Sequence, residues 1–387
     1  MTKRTLNIGL IGSGFMGQAH ADAFRRAAML YRDLPAVPHL AMLADATPEL
    51  AASAAERFGF DHSTGDWQAL VNDPGVDVVD ITSPNDMHHR MAMAAIAAGK
   101  HVYCEKPLSV TVAEAEEMTA AAKAKGVYTM VAFNNVKTPA AMLARQIIDA
   151  GEIGTPTRFR GWFDQGFFND PDLPHSWRCT RAQAGSGALG DLGSHVVSVA
   201  QYLMGDIDRT VAQSQTYFPT RPLPQGAGGY SAKAASDAPR AAVENEDQMQ
   251  ALIHFASGAG GTIEASRISA GKVFGIWWEV SGTQGTIIMD GERFNELRVS
   301  RFDDEKRDRG FKTLLAGSQC PQFAAFFPFD FAGGGLGYFD VKVIEVRDLI
   351  DGICGTGCAP DFDFGLRNMR IIDAMDRSMT SGLWENV

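Results

Sequence analysis

The sequence predicts an α/β domain with a doubly wound parallel sheet, followed by a domain built on an antiparallel sheet with helices on one face. Three observations carry this. Short apolar runs alternate with helix-periodic stretches over the first third of the chain. A glycine-rich turn follows the first run, and from Thr157 onward strand-like runs succeed one another with few helical interruptions.

Leu6, Ile8, Leu10 and Ile11 form the first buried strand, followed at once by Gly12-Ser13-Gly14-Phe15-Met16-Gly17. Ala19, Ala23, Phe24 and Ala27 then share one helix face. Strand, G-x-G-x-x-G and helix in this order make a cradle for a dinucleotide pyrophosphate. Gly12 makes the turn, Gly14 lets the phosphates approach, and Gly17 permits close helix–strand packing. Phe15 and Met16 complete the loop, and the helix N-terminus presents N–H groups to the anion. A turn that uses glycines only for its own geometry is the competing reading.

A second strand, His39–Ala44, ends at Asp45. A carboxylate there accepts hydrogen bonds from the adenosine ribose, and with Ala46 next to it no base offsets a 2′-phosphate. The expected cofactor is therefore NAD rather than NADP. Asp45 lies further from Gly17 than the roughly 20 residues usual for such sites, and an inserted loop over Tyr31–Pro38 is the expected reason.

The alternation continues through the domain. Thr47-Pro48 opens a helix to Phe58, and Asp66 caps a short helix over Trp67–Val71. Strands are expected at Val76–Thr82, His101–Cys104 and Val127–Ala132, with helices at Asp86–Ala98 and Thr111–Lys125. Ligands gather at the carboxyl ends of such strands. Ser83-Pro84-Asn85, Glu105-Lys106-Pro107 and Asn134 stand there.

Composition excludes several function classes. The chain has 387 residues, enough for two domains, and is 45% hydrophobic and 21% charged, as folded globular proteins are. A formal charge of −11 without any basic block argues against a nucleic-acid partner. No apolar run reaches the ~18 residues that span a bilayer, so no membrane partner is expected. Lys3 and Arg4 before an apolar stretch, with Ala19-His20-Ala21, imitate a cleaved leader, but cleavage there would destroy the glycine motif. The five cysteines form no disulfide framework. Cys354 and Cys358, the closest pair, lack neighbouring histidines and are not expected to bind metal. Free thiols fit a reducing cytoplasm. The adjacent His88 and His89 point in different directions on a helix, and no metal is expected there either.

Glu105-Lys106-Pro107 after a strand, downstream of the glycine motif, resembles the glucose–fructose oxidoreductase/inositol dehydrogenase (Gfo/Idh/MocA) family. Thr82-Ser83-Pro84-Asn85 with His88, and the run Gly187-Ala188-Leu189-Gly190-Asp191-Leu192-Gly193-Ser194-His195, extend the resemblance over nearly the whole chain. It implies an N-terminal Rossmann domain, a C-terminal α+β domain on a large, mostly antiparallel open sheet, and catalytic roles for Lys106, Asp191 and His195. It also implies that Ser83, Pro84, Asn85, His88, Glu105 and Lys106 line the NAD site. Within the family, Trp177-Arg178, Ala184-Gly185-Ser186-Gly187 and Arg221-Pro222-Leu223 resemble a member that oxidises an anhydrosugar. Many relatives continue from the Asn134 position with Arg-rich sequence, whereas this chain reads Asn135-Val136-Lys137.

Oxidising a secondary alcohol needs a base for the hydroxyl proton and a group that stabilises the developing alkoxide. Asp191 and His195, four apart at the start of a helical stretch, share one face. Gly190 and Gly193 are expected to remove bulk where a ligand approaches. His195 is the natural base near neutral pH, Asp191 orients the substrate or tunes the imidazole, and Lys106 brings positive charge to the alkoxide. The plainer reading makes Asp191 a helix-start charge and His195 a packed core histidine. Asn134, Trp177 and Arg178 join Lys106, Asp191 and His195 as expected substrate contacts. For Trp177 and Arg178 the alternative is core packing plus a surface ion pair.

The expected boundary puts a Rossmann domain at residues 1–132 and a substrate-binding and oligomerisation domain at 133–387. The second opens with a helix from Pro139 to Ala150. Strands follow at Thr157–Phe163, Val211–Phe218, Gln248–Phe255, Gly261–Arg267, Val273–Val280, Thr286–Met289 and Leu297–Val299, with closing helices at Asp340–Ile353 and Leu366–Ser378. A sheet with one free face invites a second subunit, so a homodimer or homotetramer is expected. The Ala-, Gly- and Pro-rich stretch between Arg221 and Asn245 is a lid, an arm or a disordered loop. The expected activity is NAD-dependent oxidation of a ring hydroxyl of a sugar, anhydrosugar or cyclitol. The alternatives are a glycosidase working by transient oxidation and an NAD or sugar sensor, which has no need of the three catalytic candidates.

Overall fold

The computed structural model describes residues 3–224, 234–235, 237–327, 329, 334–357 and 360–387. Residues 1–137 and 321–369 form one compact unit, and 138–320 with 370–387 a second.

In the first unit six strands form one sheet: β1 (Arg4–Ile11), β2 (Ala36–Ala44), β3 (His62–Thr64), β4 (Val78–Ile81), β5 (His101–Cys104) and β6 (Thr129–Val131). Their order is β3-β2-β1-β4-β5-β6 and every pairing is parallel, as expected. Between them run α1 (Phe15–Leu30), α2 (Pro48–Phe58), α3 (Trp67–Asn72), α4 (Asn85–Ala97) and α5 (Val112–Lys125). The helix starts follow local chemistry. The Thr47 hydroxyl accepts from Leu50 N–H, the Asp66 carboxylate accepts from Gln68 N–H, and Thr111 with Glu114 forms a reciprocal capping box. Strand order reverses between β1 and β4, which places a crevice at the carboxyl ends of these strands.

The expected Tyr31–Pro38 loop is corrected. α1 continues to Leu30 and β2 begins at Ala36, so the extra spacing is taken up mainly by a long helix and a long strand. Pro38 pairs with Leu6, while β3 reaches only Met42–Ala44. The side of β2 near Pro38 therefore has no partner strand asking for its missing N–H.

The second unit begins with α6 (Pro139–Asp149), β7 (Pro156–Asp164), α7 (Arg181–Ala184) and α8 (Ser194–Met204). It continues with β8 (Ile207–Gln215), β9 (Thr220–Pro222), β10 (Arg240–Ala242), β11 (Gln248–Phe255), β12 (Gly260–Ser266), β13 (Gly275–Gly282), β14 (Gly285–Asp290), β15 (Glu296–Arg301) and β16 (Lys312–Leu315), and β17 (Glu385–Asn386) closes it. Nine strands share one sheet in the order β16-β15-β14-β13-β7-β12-β11-β8-β17. β7 and β12 are parallel and the other neighbours antiparallel. Phe159, Gly161 and Phe163 of β7 alternate inward, and α8 packs against β7 and β12. The opposite face carries Arg158, Arg160 and a stacked Trp162–Trp277 pair with ring centroids 4.0 Å apart.

Part of the expected 221–245 loop is ordered as the small β9–β10 ladder; residues 225–233 and 236 lie outside the described residues. Arg221 is fully buried and donates to the carbonyls of Phe168, Asp170 and Leu173, so it anchors the loop's start.

After β16 the chain returns to the first unit with α9 (Tyr338–Ile353) and then enters α10 (Phe362–Ser381), whose second half belongs to the second unit. The expected boundary at 132/133 therefore differs from the compact units. Residues 133–137 and 321–369 pack with the Rossmann sheet because Val343, Val346, Leu349 and Ile350 of α9 share one core with Phe24 and Ala27 of α1. Among the described residues no helix is long and apolar enough to cross a membrane. None of them forms a group of His, Cys, Asp or Glu placed for a metal ion, and Cys358 lies outside the described residues.

Candidate active site

The glycine loop carries the marks of a phosphate cradle. Gly12 has φ +99°, and a Cβ there would sit 3.0 Å from the Thr82 carbonyl oxygen. A Cβ on Gly17 would lie 2.1 Å from the Gly12 carbonyl oxygen, so turn and helix touch through backbone alone. Around Gly14 there is open space. No side chain caps the start of α1 and its first turn holds no acid, so nothing in that turn opposes an anion binding to its N–H groups. The Asp45 carboxylate accepts from the Ser13 N–H at 2.9 Å and from the Ser13 hydroxyl, and from the Ala46 N–H at 2.6 Å. Asp45 is thus held beside the loop. Phe15 is 55% exposed and stacks on Tyr338. These residues fit a dinucleotide.

The β4 and β5 turns are tied together. Thr82 Oγ1 donates to the carbonyl oxygens of Ile11 and Gly12, pinning the glycine turn. Ser83, Pro84 and Asn85 lead into α4 at the carboxyl end of β4. His88 is fully buried, with Nδ1 2.9 Å from the Pro107 carbonyl oxygen and Nε2 3.0 Å from that of Ser83. Burial pushes its pKa down, opposed by the two carbonyls. A buried ring with both nitrogens on main-chain carbonyls links the two loops instead of facing a cofactor.

Glu105 holds a second surprise. It is 6% exposed, and its side chain points into a buried charge network. Oε1 receives His20 Nε2 at 3.0 Å and Lys342 Nζ at 2.8 Å, while Oε2 accepts the Lys106 N–H at 3.1 Å. His20 Nδ1 lies 2.9 Å from Asp80, and Lys342 also meets Glu345, which accepts from Tyr103. Burial would raise the Glu105 pKa, but Lys342 and His20 outweigh it and hold the carboxylate well below its ordinary range. Glu105, expected to line the NAD site, turns its carboxylate inward and braces the Lys106 turn from behind. The Lys106–Pro107 peptide bond is cis. Asn134 is 2% exposed and its side chain is hydrogen-bonded to the Tyr338 hydroxyl. Lys137 pairs with Asp348 at 2.6 Å.

In the second unit, Asp191 and His195 do not share a regular α-helix. Leu189–Gly193 is a π-helical turn that runs directly into α8. Such turns concentrate at functional sites because they redirect side chains within a helix. His195 is 7% exposed and packs edge-on to Phe163, ring centroids 5.7 Å apart. Arg178 lies over the Trp177 ring at 4.3 Å and pairs with Asp191 at 3.5 Å. An aromatic face, a guanidinium and a carboxylate are thereby gathered in one place. The expectation that Gly190 and Gly193 open space for a ligand is corrected. A Cβ on Gly190 would meet the Ser186 hydroxyl at 2.5 Å, and one on Gly193 would contact Leu189, Ala188 and Ala265. Gly190 serves close packing inside the protein, whereas a Cβ on Gly193 would make only ordinary contacts with its protein neighbours.

An oxidoreductase-family model with an NAD-binding Rossmann fold matches residues 6–133, and a GFO/IDH/MocA C-terminal domain model matches residues 142–288. Levoglucosan dehydrogenase of Pseudarthrobacter phenanthrenivorans is 41% identical over 99% of this chain and 98% of its own. This chain belongs to the GFO/IDH/MocA family. An NAD binding oxidoreductase from Klebsiella pneumoniae superposes with TM-score 0.93 at 63% identity, covering 99% of each chain. A levoglucosan dehydrogenase in complex with NADH and levoglucosan superposes with TM-score 0.92 at 40% identity, over 99% of this chain and all of the other. As a GFO/IDH/MocA member, the protein is an NAD-dependent dehydrogenase acting on CH–OH groups of sugars and polyols.

Sequence reasoning missed three residues at these sites. Thr82 lies within the Thr82-Ser83-Pro84-Asn85 motif, but its hydroxyl acts on the glycine turn 70 residues away. Tyr338 opens α9, far along the chain from Asn134. Glu246 lies in the acidic run Glu244–Asp247, which has the look of a solvated turn. Each works through a tertiary contact that leaves no local pattern.

Proposed function

We propose that this GFO/IDH/MocA protein oxidises a secondary ring hydroxyl of a levoglucosan-like anhydrosugar to the ketone. The observation that carries this reading is the Trp177–Arg178–Asp191 group, in a chain similar over its full length to levoglucosan dehydrogenase. An aromatic face beside fixed donors and acceptors suits a sugar, whose ring has apolar C–H faces and polar edges.

Bound NAD would supply the hydride acceptor that oxidation of the carbinol carbon requires. Gly12, Gly14, Phe15, Met16 and Gly17 would hold its pyrophosphate and Asp45 its adenosine ribose, with Ser83, Pro84 and Asn85 along the same edge. His195 takes the hydroxyl proton, Asp191 orients the sugar, and Lys106 offers positive charge to the oxygen as the proton leaves. Asn134, Trp177 and Arg178 complete the sugar contacts. The outward sheet face with the Trp162–Trp277 stack would be covered by a second copy of the chain in a dimer or tetramer, which light scattering checks. Cys104, Cys179, Cys320 and Cys354 are free thiols, in keeping with a reducing cytoplasm.

The test is a panel of anhydrosugars, pyranoses and inositols with NAD, read by NADH absorbance. Levoglucosan should rank first with stoichiometric NADH. Glycoside cleavage without net NADH would point to a transient-oxidation glycosidase, and binding without turnover to a sensor.

A further inference from the structure

Glu246 is 6% exposed just before β11. Its Oε1 accepts from the Gly187 N–H at 2.8 Å and the Leu189 N–H at 2.9 Å, and its main-chain carbonyl accepts from the Ala188 N–H at 3.1 Å. These three consecutive amides open the helical segment that carries Asp191 and His195, where the helix itself supplies no acceptor. The segment has no side-chain cap of its own. A Cβ on Gly187 would lie 2.0 Å from the Glu246 carbonyl oxygen, so the two backbones are in direct contact.

The neighbouring residues hold the other half of the proposed sugar surface. Asn245 Nδ2 donates to the Arg178 carbonyl oxygen at 3.0 Å. Asp247 and Arg267, both buried, pair at 3.1 Å, and Arg267 also donates to the Asn245 carbonyl oxygen at 3.4 Å. One tripeptide, Asn245-Glu246-Asp247, therefore grips the chain at Arg178 and at Gly187–Leu189.

We propose that Glu246 is a positioning residue that sets the start of the π-helical turn, and so the aim of Asp191 and His195, with Asn245 keeping Arg178 in register. The inference rests on the sugar-oxidation reading for its kinetic consequence. A carboxylate bonded to two amides at a helix start is fixed in direction, and those amides in turn fix the first turn's rotation. Burial pushes the Glu246 carboxyl upward, and the two amides draw it back. The π-helical turn is closed by its own i→i+5 bond from the Ser194 N–H to the Leu189 carbonyl oxygen, so an anchor on the Leu189 N–H bears on the residue that sets the turn's register.

The experiment compares the full-length protein with Glu246→Gln and Glu246→Ala. Amide exchange is followed in the peptide spanning residues 187–189, with kcat and KM for levoglucosan and the dissociation constant for NAD. Glu246→Ala should speed exchange at these amides by about 10-fold or more and lower kcat by about 10-fold or more, leaving NAD affinity within about twofold. Glu246→Gln keeps an acceptor oxygen and should fall between. Unchanged exchange, or faster exchange with unaltered kcat, overturns the proposal. If Glu246→Ala does not fold, the same two outcomes in Glu246→Gln decide it. If the unmodified protein does not oxidise levoglucosan, the substrate reading fails by itself. The exchange measurement still decides the anchor, and the kinetics move to whichever sugar of the panel is oxidised.

Discussion

Lys342 on α9 meets Glu105 at the end of β5 across 2.8 Å, although 237 residues separate them in the chain. Both are buried, and the same Lys342 ammonium meets Glu345 at 2.9 Å. Helix α9 thereby closes the charge balance beneath the Lys106 turn.

Removing that cation strands two carboxylates in a low-dielectric interior. Lys342→Met should destabilise the protein by about 3–5 kcal/mol in urea or thermal unfolding. Adding Glu345→Gln should recover part of the loss, since one uncompensated charge goes with it. A loss below about 1 kcal/mol for the single variant would show that the network carries little of the unit's stability.

The His20 imidazole bears on pH. Burial alone would push its pKa down, but Asp80 and the bond to Glu105 outweigh burial and raise it to about 8. A raised folded-state pKa means stability that is complete below the unfolded value and is lost as pH rises through about 8. The loss between pH ~6.5 and pH ~9 should be about 2 kcal/mol. His20→Asn should flatten that slope in melting curves taken across this range. An equally steep slope in the variant would assign it to other groups.

Asp45 is held against Ser13 at the mouth of the glycine loop. Asp45→Ala should raise KM for NAD by roughly 10- to 100-fold and narrow the preference over NADP, because hydrogen bonds to a charged acceptor are lost. Equal kcat/KM for NAD and NADP in the unmodified protein would remove Asp45 as the discriminating residue.

His195 is the proposed base. His195→Ala should lower kcat by roughly 10²–10⁴ with NAD affinity retained, and the acid limb of the pH–rate profile should disappear. Lys106→Met should lower kcat as well. The double variant should lose much less than the product of the two, since both residues are proposed to act on one oxygen. Near-normal turnover by a folded His195→Ala protein would make the residue a core histidine packed on Phe163 and leave Lys106 as the candidate base.

The sequence by itself determined the parallel sheet, the glycine cradle and the succession of antiparallel strands. These depend on short-range patterns: apolar period, glycine spacing, and caps such as Thr47, Asp66 and Thr111, whose hydrogen bonds close within a few residues. Only the tertiary structure decided what Glu105, His88 and Gly190 face, because each direction is set by partners distant in sequence. Glu105 turned inward once α9 brought Lys342 beneath it, and His88 was taken up by two main-chain carbonyls. The return of residues 321–369 to the first unit had no local signal either. An amphipathic helix shows in its sequence that it has a face to bury, but the surface that buries it is chosen by the whole chain.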